Sequence, residues 1–388
     1  MPGHPQRIGR LLTTRHGGEA VRAYVPKPLP PVPPLDLSSL LNAIESANRE
    51  LGRLDGVATV LPSTQLFLWM YVRKEALLSS QIEGTQSSLS ELLILENEDQ
   101  PMVPTDDVIE VSNYVAAMEH GLARLRGGFP LSLRLIRELH ERLLSSGRGA
   151  ALQPGVFRTS QNWIGGTRPG NALFVPPPPQ ELMNCLDNFE TFLHDRESLP
   201  VLLRAALAHV QFETIHPFLD GNGRLGRLII TLMLCEDKAL SQPTLYLSLF
   251  LKAHRDRYYD LLQTVRNTGD WEAWIAFFLE GVDATSRQGF LTAQKLLALF
   301  DEDERKISGL GRATASALRL YTELKRRPIV SIPTVSKKLG LTHPTVHSAM
   351  EHLQKLGIVQ ELTGRKRGRL YCYSRYLALL EEGTEPIV

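Results

Sequence analysis

The stretch from Pro200 to Leu240 constrains this chain most. Two apolar runs, Pro200 to Thr214 and Leu225 to Leu240, flank a short polar segment, Ile215-His216-Pro217-Phe218-Leu219-Asp220-Gly221-Asn222-Gly223-Arg224. Apolar residues occupy so much of each flank that both read as helices buried in a core. A polar loop between two buried helices has to be held by that core, so its side chains are presented from a rigid base.

The rest of the chain supplies enough material for such a core. It has 388 residues, 43% of them apolar and 22% charged, an ordinary globular balance that suggests two or three domains. From Leu37 to about Leu95 the pattern is helical, with a break at Pro62, and Asp36 or Ser38 is the expected cap. Further helices are predicted over 106–124, 131–144, 180–194, 252–267 and 271–299, with Trp271 and Trp274 as core residues. Residues 1–24 show no clear periodicity. The run Val25-Pro26-Lys27-Pro28-Leu29-Pro30-Pro31-Val32-Pro33-Pro34 excludes helix and central strand, and is expected as an extended strap along the surface. Glycines and prolines break the rhythm over 151–180, where a short β-hairpin is predicted.

Charge is unevenly placed. The net formal charge is +1, yet residues 305–388 hold 15 Lys/Arg against 6 Asp/Glu. An acidic hinge, Asp301 to Glu304, is expected before this basic module. Three widely spaced cysteines lack metal-ligand spacing and read as reduced thiols. No apolar run approaches the roughly 18–20 residues that span a bilayer, and no signal-like segment is evident. A cytoplasmic location without membrane attachment is the expectation.

The polar loop carries chemistry. Gly221 and Gly223 permit backbone angles that a Cβ forbids and allow close approach of a ligand. The first N–H groups of the following helix are unpaired and form an anion site. Arg224 and Arg227, three apart, share a face there, and two guanidinium forks suit a polyphosphate. Asp220 provides an oxygen ligand of the kind Mg²⁺ uses beside phosphates. His216, with an ordinary pKa of about 6.5, suits proton abstraction from a hydroxyl.

This loop, His216 to Arg227, resembles the Fic-domain signature without departure. The resemblance implies a protein adenylyltransferase using ATP and Mg²⁺, with AMP moved to a Ser, Thr or Tyr hydroxyl of a protein, itself included. His216 would be the catalytic base and Asp220 the metal ligand. Asn222, Gly221 and Gly223 would meet phosphates, Arg224 the β-phosphate and Arg227 the γ-phosphate. Pro154 to Gly165 and Phe174-Val175-Pro176 resemble the family's flap, in which Ile164, Gly165, Phe174 and Val175 would position the target. Tyr246, Tyr258 and Tyr259 stand where such proteins carry adenine- and loop-supporting residues.

Upstream, Ser79-Ser80-Gln81-Ile82-Glu83-Gly84 resembles the family's inhibitory motif. Ser79, Glu83 and Gly84 would then belong to a brake, with Glu83 competing with ATP for Arg227. Some braked relatives also remove AMP, so the alternative of a second, reverse activity stands. The tail resembles a winged helix-turn-helix. Thr342 would cap its second helix, Thr345, His347 and Ser348 would face a groove, and Gly364 to Arg369 would form a basic wing. It implies DNA or a protein, including a second copy in a homodimer, as partner.

The expected fold is therefore mainly α. A helical region (1–110) holds the inhibitory motif at 79–84. A Fic-type core (111–300) holds the flap (151–180) and active loop (216–227). A small winged module (305–388) follows. The competing reading is a DNA-binding regulator that uses the pocket as a nucleotide sensor, against which His216 argues, since a sensor needs no base. The target protein is not legible.

Overall fold

The computed structural model describes residues 4–60, 64–96, 105–365 and 368–386. The Pro62 break and two residues of the expected basic wing, Lys366 and Arg367, lie outside the described residues.

The chain opens with a hairpin that its first 24 residues were not expected to form. Strands β1 (Arg10–His16) and β2 (Glu19–Val25) pair antiparallel, with His16 opposite Glu19. Gly17 and Gly18 both have positive φ, +59° and +83°, as a two-residue hairpin turn requires. Val21, Ala23 and Val25 alternate inward. The signal was present in that alternation beside a Gly-Gly pair.

The proline run then forms the expected strap. Arg7 donates to the Pro33 and Pro34 carbonyls and to Glu272, and Gln211 donates to the Lys27 carbonyl at 2.9 Å. These bonds tie it to the helical core. A short turn follows, in which Asp36 accepts from Ser38.

Among the described residues, eleven helices build the core: α1 (Leu41–Val60), α2 (Thr64–Ile82), α3 (Leu89–Leu95), α4 (Asp106–Arg126), α5 (Leu133–Leu143), α6 (Pro179–His194), α7 (Val201–Ile215), α8 (Asn222–Glu236), α9 (Ser248–Ala253), α10 (Arg255–Thr268) and α11 (Trp271–Ser308). Helices α7 and α8 are almost wholly buried, as their apolar runs demand. Trp274 is buried, its Nε1 bonded to the Ala206 carbonyl of α7 at 2.8 Å.

The expected acidic hinge is helix. Helix α11 runs unbroken through Asp301–Glu304, because these carboxylates have cationic partners: Asp301 pairs with Arg305, Glu302 with Lys306 and Arg375, and Glu304 with Lys325. Asp303 is fully buried and accepts from the Tyr373 hydroxyl at 2.6 Å.

After it come α12 (Thr314–Arg326), β3 (Ile329–Ser331), α13 (Ile332–Leu339), α14 (His343–Lys355), β4 (Gln360–Glu361), β5 (Leu370–Cys372) and α15 (Ser374–Glu381). The three strands form an antiparallel sheet in the order β3-β5-β4. Thr342 caps α14 by accepting from the Thr345 N–H, and Gly357, at φ +69°, stops the chain just after it. Among the described residues no helix is long and apolar enough to cross a membrane.

Candidate functional site

Helices α7 and α8 are packed side by side, so the loop between them is short and tightly determined. His216 closes α7 in the left-handed region, at φ +49° and ψ +62°, and its N–H still reaches the Phe212 carbonyl at 2.9 Å. A non-glycine residue holds that conformation only when its surroundings impose it. Here they do. Phe218 is fully buried and stacks on the His140 ring at 3.7 Å. His140 Nδ1 accepts from the Gly155 N–H at 2.8 Å, so its Nε2 carries the proton donated to the Asp220 carbonyl at 3.0 Å. Burial pushes the His140 pKa down to about 4, which fits this neutral tautomer.

Two further side chains staple the loop. Arg158 donates to the carbonyls of His216, Ile215, Ser160 and Pro177, joining the flap's base to the loop. Asn162 donates to the Phe218 carbonyl at 3.1 Å. The Asn222 side chain, which the family resemblance assigns to phosphate, is committed to the loop: its Oδ1 accepts from the Phe218 N–H and its Nδ2 donates to the Phe218 carbonyl, both at 2.9 Å.

The result is a cleft of about 470 Å³. His216, Asp220, Gly221, Asn222, Gly223 and Arg224 line it from the loop and helix end, Ile164 and Gly165 from the flap, and Glu83, Glu110 and Arg148 from elsewhere. His216 Nδ1 has no hydrogen-bond partner, and burial with the nearby Arg158 and Arg266 charges pushes its pKa down to about 3. The imidazole is thus neutral across the physiological range. Asp220 Oδ1 accepts from the Gly221 N–H at 2.7 Å, while Oδ2 stands 3.8 Å from Arg224 Nη2.

Arg227 sits behind the helix end, buried. Its Nε donates to Ser79 Oγ and its Nη2 to the Ser79 carbonyl, both at 2.9 Å, and Nη2 also pairs with Glu83 Oε1 at 2.6 Å. Glu83 follows the last turn of α2, and Gly84 turns the chain away at φ +102°. The carboxylate lies so close over Gly223 that a Cβ there would overlap Glu83 Oε1. Glu83 therefore covers both a guanidinium and the exposed end of α8.

Arg224 has a partner that no motif announced. Its Nη1 pairs with Glu110 Oε2 at 2.8 Å, both side chains being buried, and the other oxygen of Glu110 accepts from Arg148. Glu110 comes from α4, 114 residues earlier, and only the packing of α4 on α8 shows it.

The flap is slighter than a full hairpin. A single antiparallel bridge joins Ile164 to Phe174, and the Tyr24 N–H of β2 bonds to the Val175 carbonyl at 2.9 Å. Val175 packs with Val21 and Ala23. The three tyrosines divide. Tyr246 and Tyr258 are buried and do not line the cleft: Tyr246 packs on Tyr71, and the Tyr258 hydroxyl bonds to His209 at 2.8 Å. Tyr259 is exposed beside Arg255, whose guanidinium lies over its ring.

Comparison with known proteins agrees with this architecture. Residues 41–123 match the Fic/DOC family N-terminal region and residues 130–234 match the Fic/DOC family domain. By these regions the chain is a member of the Fic/DOC family. It is 35% identical over 185 residues to a protein adenylyltransferase Fic of Aedes aegypti and 32% over 182 residues to one of Drosophila grimshawi, in each case across 46% of this chain and 34% of the relative. The chain thus spans about a third of the length of these curated relatives. A Fic family protein from Desulfovibrio desulfuricans shares the fold over 88% of this chain and 97% of its own, with a TM-score of 0.57 at 18% identity. A Fic domain protein from Bacteroides thetaiotaomicron does so over 64% and 95%, with a TM-score of 0.51 at 18%.

Proposed function

We propose that the chain transfers AMP from ATP to a protein hydroxyl, and that Glu83 restrains this activity. The observation that carries the reading is the meeting of His216, Asp220, Arg224 and the glycine-lined end of α8 in one cleft, with a carboxylate lying on that end. A helix end and guanidinium groups favour a polyphosphate. His216 would take the proton as the hydroxyl oxygen bonds to the α-phosphorus and the bond to pyrophosphate breaks. Its depressed pKa keeps the accepting lone pair available.

Mg²⁺ fits the donor set. Among the described residues no three His, Cys, Asp or Glu side chains gather as a cage, so the half-exposed Asp220 carboxylate suits an ion that keeps phosphate oxygens and water as its other ligands. When bound, the ion would neutralise phosphate charge. Target side chains would align along Ile164, Gly165, Phe174 and Val175.

The Glu83–Arg227 pair supports the brake. A γ-phosphate and Glu83 would need the same guanidinium, and a phosphate approaching Gly223 would meet the carboxylate first. Misaligned phosphates lose near-attack geometry, which costs orders of magnitude in rate.

The test is labelling of a lysate with α-³²P-ATP by wild type, Glu83→Gly and His216→Ala. The Glu83→Gly chain should label itself and a target more strongly, His216→Ala should label neither, and mass spectrometry should find an AMP adduct. Equal labelling by wild type and Glu83→Gly would remove the brake; labelling by His216→Ala would remove the base.

A second reading concerns residues 305–388, which we treat as a winged module. A groove of about 660 Å³ between α14 and β5 is lined by His343, His347, Ser348 and Arg369, which suits a nucleic-acid backbone. Binding of duplex DNA that weakens steeply with salt would support it, and no retention at low salt would refute it.

A further inference from the structure

Arg224 and Arg227 are three residues apart on one helix, and each has a carboxylate partner. The two partners differ in a way that assigns them different work. Glu83 reaches in from a helix end and its side chain is 36% exposed, whereas Glu110 is 6% exposed and lies mid-way along the first half of α4. Glu110 is also fixed from behind: Arg148 holds its Oε1 and is itself held by Asp107. The loop carrying Arg148 is closed by Asn113, which accepts from the Ser145 and Ser146 hydroxyls and donates to the Ser146 carbonyl. Glu110 cannot leave without breaking this network. It also engages only one nitrogen of Arg224. Nε has no partner and Nη2 stays beside Asp220, where the metal-bound phosphates would lie.

We propose that Glu110 is a positioning residue: it holds the Arg224 guanidinium in its phosphate-gripping orientation and is not a second brake. A buried guanidinium without a counter-charge would turn toward solvent or another carboxylate, and Asp220, the candidate metal ligand, is the nearest. Losing Glu110 should therefore weaken nucleotide binding and disturb Asp220 together. The inference rests on the transfer reading for its phosphate assignment, so the experiment separates the two. Isothermal titration with Mg·ATP is run on the unbraked, chemically inert chain, Glu83→Gly with His216→Ala, with and without Glu110→Gln. We expect about tenfold weaker binding or worse with Glu110→Gln, and about tenfold lower kcat/KM when the same change is made in Glu83→Gly alone, with Glu110→Asp restoring part of both. Unchanged or tighter binding, or faster transfer, overturns the proposal. If Glu83→Gly transfers nothing but binding still depends on Glu110, the transfer reading fails and the positioning stands. A loss of binding matched by a loss of the cooperative melt overturns it too, since the role is then structural.

A separate observation concerns the C-terminal half of the brake helix, α2. The segment after α15 lies on α2. Lys74 donates to the Glu382 carbonyl and Gln81 to the Thr384 carbonyl, each at 2.8 Å. Lys252 of α9 bonds to the Gln81 side chain at 2.9 Å and to the carbonyls of Gly383 and Glu385. Gln81 and Thr384 are buried. The geometry points to the C-terminal segment as a clamp that keeps the last turn of α2, and so Glu83, in the cleft. Displacement of the 305–388 module by a partner would then loosen the brake.

The test uses Lys252→Met and Gly383→Ala, the second because a Cβ there would meet Leu249 at 2.8 Å and φ is +80°. Each should strengthen Mg·ATP binding, and any self-labelling, by about three- to tenfold in the otherwise wild-type chain and leave Glu83→Gly unchanged. No gain in binding, or the same gain in the Glu83→Gly chain, overturns the clamp. Binding is read without chemistry, so failure of the transfer reading would not mask the result.

Discussion

Arg224 and Arg227 occupy one face of the same helix, yet the protein treats their charges oppositely. The Arg224–Glu110 pair is buried on both sides and continues into Arg148 and Asp107. The Arg227–Glu83 pair is buried on the arginine side only, and its carboxylate sits where a helix gives way to a turn. Pairing alone does not say what a carboxylate does. A carboxylate tied into a network on rigid elements is part of the scaffold, whereas one at the end of a helix, held by a few bonds, can be withdrawn. On the proposed reading, the same chemistry would serve as support one turn from where it serves as obstruction.

The comparison can be broken at its largest effect first. Replacing His216 by Ala in the Glu83→Gly chain should lower transfer by about 10²- to 10⁴-fold, the usual worth of a general base; a loss below tenfold in single-turnover labelling would take the chemistry away from this imidazole. Glu83→Gly alone should raise self-labelling by about 10- to 100-fold, the range of one charge-assisted hydrogen bond, with the opposite sign to Glu110→Gln. Ser79→Ala removes the Oγ that accepts from Arg227 Nε but keeps the backbone carbonyl and Glu83. It should raise labelling only about two- to tenfold, the scale of a single ordinary hydrogen bond; an effect equal to that of Glu83→Gly would make Ser79 the main restraint.

The smallest effect is a displacement in pH. His216 is pushed down to about 3 by burial and by Arg158 and Arg266, so the neutral base persists well below the ordinary histidine value. The acid limb of kcat/KM, which reports the free enzyme, should therefore fall below pH 6 for Glu83→Gly with Mg²⁺ in excess. A limb at 6.5 or above would mean that the imidazole is solvated and unperturbed before ATP binds.

Several features were legible in the residue string because they are local. The apolar runs around residues 200–240 dictated two buried helices. Thr342 and Gly357 marked the ends of α14 through capping chemistry. Other features were misjudged where long-range contacts overrule local pattern. Asp301 to Glu304 reads as a solvated hinge until Lys325, Tyr373 and Arg375, which stand 21, 70 and 73 residues from their partners, are brought against it. The β1–β2 hairpin was hidden by its length and by the arginines on its exposed face, although Gly17-Gly18 marked its turn.

By itself the sequence determined the helical core, the loop with its base, carboxylate, glycines and two arginines, and the motif around Glu83, because each depends on residue type and short spacing. Tertiary structure alone decided which carboxylate meets which guanidinium, that Asn222 serves the loop, that Tyr246 and Tyr258 lie outside the cleft, and that the C-terminal segment grips α2. The physical reason is that these are contacts between side chains far apart in the chain. Their partners are selected by how buried helices pack, and a linear pattern carries no record of that choice.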